Sequence, residues 1–221
     1  MAYSIPAMIL VMGLRVAVSA MMTHPGEGLS GMTLFRAVNG FPLVFVLFEY
    51  ILAVICFVYL YRIAETTVWL DVAGTMFLCY MFTEMLARIV EWIDYRLDPN
   101  GMAGAGVIAV AEIPPVFIIL GVVFLINGMS VIYAGMRKNS EKETESCKKI
   151  KVIWIAGALL LIAAEIIPQV TILIAENDDA SMIRYISLGF SVLFLASAVP
   201  FVLRLQKFCY EFYMYCYNRR R

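Results

Sequence analysis

Residues 102–136 read MAGAGVIAVAEIPPVFIILGVVFLINGMSVIYAGM. Glu112 is the only charged side chain in the run. The stretch is well beyond the ~18 apolar residues that mark a membrane-spanning helix. At its centre is Ala-Glu-Ile-Pro-Pro (111–115), and a near copy, Ala-Glu-Ile-Ile-Pro, occupies 164–168. Each copy sets a glutamate, Glu112 or Glu165, inside a long apolar segment beside proline. A carboxylate exposed to hydrocarbon costs ~2.5 kcal/mol or more, so such residues turn inward and often serve function.

The composition extends this reading to the whole chain. The 221 residues are 62% hydrophobic with mean hydropathy +0.85, whereas soluble domains run near roughly 45–50% apolar. The expected fold is all-α: a polytopic integral membrane helix bundle of about six transmembrane helices, forming a single domain over residues 1–221.

The spans follow in order. The first covers about Ser4–Met22. Ala17-Val18-Ser19-Ala20 resembles a signal cleavage site, but no basic stretch precedes it and Arg15 interrupts the apolar run, so the segment reads as a span. A polar, glycine-containing loop leads to a second span at about Gly40–Arg62, with Pro42 suited to its first turn. The third is bracketed by Trp69 and Trp92, ~34 Å apart along a helix, and Trp favours both membrane interfaces. Asp98-Pro99-Asn100-Gly101 is a strong turn. The fourth span is Met102–Met136, with Pro114-Pro115 expected to kink or split it. A charged connection, Arg137–Lys151, is read as a solvated helical hairpin extension. The fifth span is Val152–Glu176, and an acidic turn, Glu176–Asp179, leads to the sixth, Met182–Leu205. The aromatic tail from Phe208 to Tyr217 reads as an interfacial anchor.

Orientation follows from the basic residues. Arg137, Lys138, Lys142, Lys148, Lys149 and Lys151 fall in one connection, and Arg204, Lys207 and Arg219–Arg221 in the tail. Six alternating helices put both groups on one side, which the positive-inside rule makes cytoplasmic, with both termini. The protein is therefore expected to be a multi-pass integral membrane protein.

Depth then singles out six ionisable residues: Arg15, Glu49, Glu84, Arg88, Glu112 and Glu165. Most lie ~12–17 Å from the outer surface at 1.5 Å per residue, with Arg88 shallower. Glu84, Arg88 and Glu91 share one helical face, and Gly101, Ala105 and Ala109 form a small-residue stripe leading to Glu112. Four glutamates face two arginines, leaving two carboxylates in surplus. A buried, unpaired carboxyl takes a proton or binds a cation. Proline beside it frees a backbone carbonyl one turn earlier, and broken helices beside carboxylates are a common midplane site of transporters.

These six residues are the expected ion- or substrate-binding set of a small transporter or channel for protons, cations or a small solute. Two other classes fit the same charges: a sensory or signalling transmembrane module, and an accessory subunit of a larger membrane complex. No catalytic residue, metal site or cofactor is expected. His24 is the single histidine, and the five cysteines have no zinc-ligand spacing. No Gly-x-Ser-x-Gly or His-Glu-x-x-His is present. The expected partners are the lipid bilayer, a cation or proton, and a second copy or a larger complex. No basic stripe suggests nucleic acid.

Overall fold

The computed structural model describes residues 3, 5–7, 9, 10, 13, 51, 54, 55, 58, 67–97, 110, 113–136, 140–174 and 180–219. Positions 88, 91, 92, 95, 96, 140, 165–174, 180, 181, 183, 184 and 219 contribute backbone only. Four helices have described bounds: α1 Val68–Leu97, α2 Ile113–Gly135, α3 Ser140–Ile174 and α4 Ala180–Arg219. Helical residues also occur at 5–7, 9, 10 and 13, and at 51, 54, 55 and 58. The described chain is all-helical, and three of its helices are long and apolar enough to cross a membrane: Val68–Ala87, Ile113–Gly135 and Tyr185–Asn218.

The chain forms two compact units, residues 50–147 and residues 1–49 with 148–221. In the first, α1 and α2 pack as a hairpin. The buried face of α1 repeats every seven residues: Leu70, Phe77 and Glu84 alternate with Ala73, Tyr80 and Ala87. That is the seam of two helices packing with coiled-coil geometry. A Cβ built on Gly128 would meet Leu70, and one on Gly121 would meet Phe77. Hydrocarbon offers no hydrophobic drive for helices to associate, so close approach at small residues supplies the packing. Both contact pairs are centred on residue 99, so the helices run antiparallel about Pro99, where the sequence places its strongest turn. Trp69 stacks on Phe124, ring centroids 5.9 Å apart, at the far end of the hairpin. Elsewhere in this unit Ile51, Val54, Ile55 and Val58, one face of a helix, are all exposed.

In the second unit, α3 and α4 form a longer hairpin. The α4 seam runs Ser187, Ser191, Phe194, Ala198, Phe201, Leu205 and Phe208 without a break. Trp154 of α3 is fully buried between Phe194 (5.5 Å) and Phe201 (5.7 Å). Gly157 admits the closest approach, against Ser197 and Phe194. These contacts are centred between residues 174 and 178, so the two helices run antiparallel. Ile5, Ile9 and Gly13, one helical face, are buried in the same unit, with Gly13 against Leu195.

The ends of the helices differ from expectation. The fifth span, expected from Val152, is part of a helix that starts twelve residues earlier, at Ser140. Glu141 and Glu143 in its first turn complement the helix dipole. The sixth span, expected to end at Leu205, continues to Arg219 because Gln206–Arg219 contains no glycine or proline. Lys207 and Glu211, one turn apart at 3.6 Å, add a weak pair there. Pro168 and Pro200 lie inside unbroken helices. Pro114 and Pro115 are buried in the first described turn of α2; the stretch from 101 to 109 and residues 111–112 lie outside the described residues.

Candidate functional site

Glu84 is the predicted site residue the structure describes most fully. It lies on α1 four residues after Tyr80, on the face that meets α2, and is 2% exposed. Its placement follows from the heptad: Leu70, Phe77 and Glu84 occupy equivalent positions, so a carboxylate replaces an apolar side chain in the seam. Continuing the hairpin register by one further heptad brings Glu84 to the level of Pro114. Glu84 engages in a polar interaction rather than standing alone. The neighbouring Thr83 hydroxyl is turned to its own helix, donating to the carbonyl oxygens of Cys79 (2.8 Å) and Tyr80 (3.1 Å).

Arg88 follows one helical turn after Glu84 on α1. Glu165 lies within α3, immediately after the buried seam residue Ala164. The α3–α4 register sets Ala164 and Glu165 level with Ser187 and Leu188 of α4. Arg15, Glu49 and Glu112 lie outside the described residues. Sorted by unit, Glu84, Arg88 and Glu112 belong to residues 50–147, and Arg15, Glu49 and Glu165 to the other unit. Each unit thus holds two of the glutamates and one of the arginines, and the surplus of two carboxylates divides into one per unit.

Three buried polar residues escaped the sequence reading. Ser187 and Ser191 sit on the α4 seam, each fully buried. The Ser191 hydroxyl donates to the Ser187 carbonyl at 2.9 Å, whereas the Ser187 hydroxyl oxygen has no hydrogen-bond partner. Glu143 is buried on α3 within the segment read as solvated. The signal for all three was present as spacing. Glu143, Cys147, Ile150 and Trp154 step by four, three and four residues, as do Ser187, Ser191, Phe194 and Ala198. Burial at Cys147 raises its thiol pKa to about 11, so at neutral pH it is an inert packing residue. Among the described residues no group of three His, Cys, Asp or Glu side chains is arranged to hold a metal ion.

Chemically, the described arrangement consists of carboxylates set into helix seams with apolar and aromatic neighbours. Such a group changes state by taking a proton, by binding a cation, or by meeting an arginine. Comparison with known families, curated proteins and solved structures matches the chain to none of them, so the functional reading rests on these residues.

Proposed function

We propose that the chain is a multi-pass membrane protein of about six spans, both termini cytoplasmic, that moves protons or small cations by way of its buried glutamates. The observation that carries this reading is Glu84. It is a carboxylate at a seam position of α1, within a segment apolar enough to span a membrane, and 2% exposed. A carboxylate set in an apolar span offers a binding point for a cation, which is the chemistry a cation pathway requires. The division of the six candidates supports it: Glu84, Glu112 and Arg88 fall in one unit, and Glu49, Glu165 and Arg15 in the other. Glu112 and Glu165 serve as the exchanging carboxylates and Glu84 with Arg88 as a coupled pair. The lipid bilayer is the solvent, and a second copy or a larger complex completes the assembly.

The test is flux in liposomes. The protein is reconstituted around a trapped pH dye, proton, sodium and potassium gradients are imposed, and wild type is compared with Glu84→Gln and Glu112→Gln/Glu165→Gln. A gradient-driven signal in wild type that falls at least tenfold in the variants is expected. Absence of flux from well-folded wild type, or full flux in both variants, refutes the proposal.

One observation favours a second reading, a sensory or accessory module. The 40 residues of α4 make a helix ~60 Å long, twice the ~30 Å hydrocarbon thickness. An unbroken helix of that length carries motion out of the membrane to a partner. Well-folded protein that conducts nothing but co-purifies with a second membrane or cytoplasmic protein is the result this reading expects.

A further inference from the structure

The face of α4 turned away from its buried seam is exposed in a strict heptad from Met182 to Tyr217. The pattern passes Gly189, Ala196, Leu203 and Tyr210, seven residues at a time, with a further exposed residue three places after each of the first five. Steps of three and four sustained over five heptads mark a helix that coils against another helix. No charged residue falls on this stripe, although Arg204, Lys207 and Glu211 lie between its positions.

Lipid covers only part of the stripe. Between Arg184 and Arg204 α4 carries no charge, and that interval rises ~30 Å, the thickness of the hydrocarbon core. The helix runs on unbroken to Arg219. Tyr210, Tyr213 and Tyr217 therefore stand ~9, ~14 and ~20 Å past Arg204, beyond the ~5–8 Å of headgroups. An anchor lying in the leaflet would need the helix to turn aside after Arg204, and the helix has no break there. The three tyrosines are 67%, 64% and 44% exposed, and Tyr213 stacks on Tyr217 at 6.4 Å. Tyrosine in place of charge on a helix face outside the membrane is the composition of a protein interface.

Several features match this face to a second copy of the chain. Two copies share one orientation and depth in the membrane, so parallel α4 helices meet in register. The stripe is neutral, so self-contact sets no like charges against each other, and Lys207 beside it lies 3.6 Å from Glu211 of its own helix. Gly189 and Ala196, one heptad apart within the hydrocarbon, allow close approach, and nothing lies within 4 Å of a Cβ on Gly189. Gln206 of the stripe faces its own counterpart, a polar pairing that fixes register in coiled coils. Counted with its flanking positions, the stripe offers about twenty residues a side, as a stable interface of roughly 20–30 requires. We propose that the chain forms a parallel homodimer through this face of α4, with the tyrosine end of the seam outside the membrane. The proposal rests on α4 crossing the membrane and is independent of the movement of any ion.

The test is energy transfer between donor-labelled and acceptor-labelled full chains in phosphatidylcholine vesicles, titrated by diluting protein in lipid. Wild type should transfer saturably and lose the signal only at high dilution. Tyr213→Glu and Tyr213→Lys, each alone, should weaken association at least tenfold, because each sets like charges across the seam. Mixing the two variants should restore it, which a misfolded variant could not do. Ala196→Leu should weaken association from within the hydrocarbon. Wild type that stays monomeric at every dilution overturns the proposal and leaves the tyrosines to the leaflet or to a different protein. Wild-type association in both Tyr213 variants, or a mixture no stronger than either variant alone, overturns it as well. Dimerisation without flux would refute the carrier and keep this face; flux from monomeric wild type would do the reverse.

Discussion

Gly157→Ala should loosen the α3–α4 hairpin out of proportion to its one added carbon. An added Cβ would lie 2.6 Å from the Cβ of Ser197, collide with the Ser197 hydroxyl oxygen, and approach the Phe194 Cα at 3.7 Å. The Ser197 hydroxyl is itself held by donation to the Phe194 carbonyl at 2.7 Å. The obstruction is a Cβ and the backbone beneath it rather than the end of a flexible side chain, so the two helices must separate. Separation strips packing from Trp154, which is closed between Phe194 and Phe201 on the same seam. Overpacking of this kind costs ~1–3 kcal/mol, and the absence of a flexible neighbour puts Gly157 at the upper end. Alanine returns ~1 kcal/mol through its better helix propensity. The net expectation is a loss of about 2 kcal/mol. The assay is a reversible unfolding titration in mixed micelles. With Trp69 and Trp92 replaced by phenylalanine, Trp154 is the only tryptophan and reports this seam directly. Ser197→Gly removes both obstructing atoms, so the double variant Gly157→Ala/Ser197→Gly should recover most of the loss. A single variant within ~0.5 kcal/mol of its parent, a margin typical of substitutions away from tight packing, would refute the reasoning. So would a double variant no better than the single.

Gly189→Ala, on the partner helix α4, is the contrast: nothing lies within 4 Å of an added Cβ, so the substitution should stabilise by ~0.5–1 kcal/mol in the same titration. Cys147 provides a pH dependence. Burial raises its pKa from 9.0 to about 11, so the folded state keeps the thiol protonated where the unfolded chain has released the proton. Its contribution to stability is therefore full below about pH 9, falls as pH rises towards about 11, and is flat above that. Unfolding titrations between pH 8 and pH 11 should show this slope in wild type and lose it in Cys147→Ala, and an unchanged slope in the variant would place Cys147 in water.

The sequence by itself determined that the described chain is helical and carries long apolar helices. Long apolar runs such as 113–136 leave few structures available in lipid, because only a helix or a closed barrel satisfies its own backbone there. The turns expected at Asp98–Gly101 and Glu176–Asp179 lie outside the described residues, between helices that end at Leu97 and Ile174 and helices that begin at Ile113 and Ala180. Glu84 was legible as a buried charge because hydrocarbon makes any carboxylate conspicuous.

Tertiary packing decided the rest. Whether Arg137–Lys151 and the tail end a helix or prolong it depends on which face is covered, and the buried steps from Glu143 to Trp154 and from Leu205 to Phe208 show both continuing as helix. Ser187 and Ser191 look unremarkable in sequence, since serine is at home anywhere in a membrane helix. Only the register fixed by Trp154, Phe194 and Phe201 sets Ser187 level with Ala164. The two units were likewise hidden, because composition counts charges along the chain and takes no account of which helices share a seam. Among the six candidate residues, four glutamates against two arginines is a property of the sequence; which of them share a unit is a property of the fold.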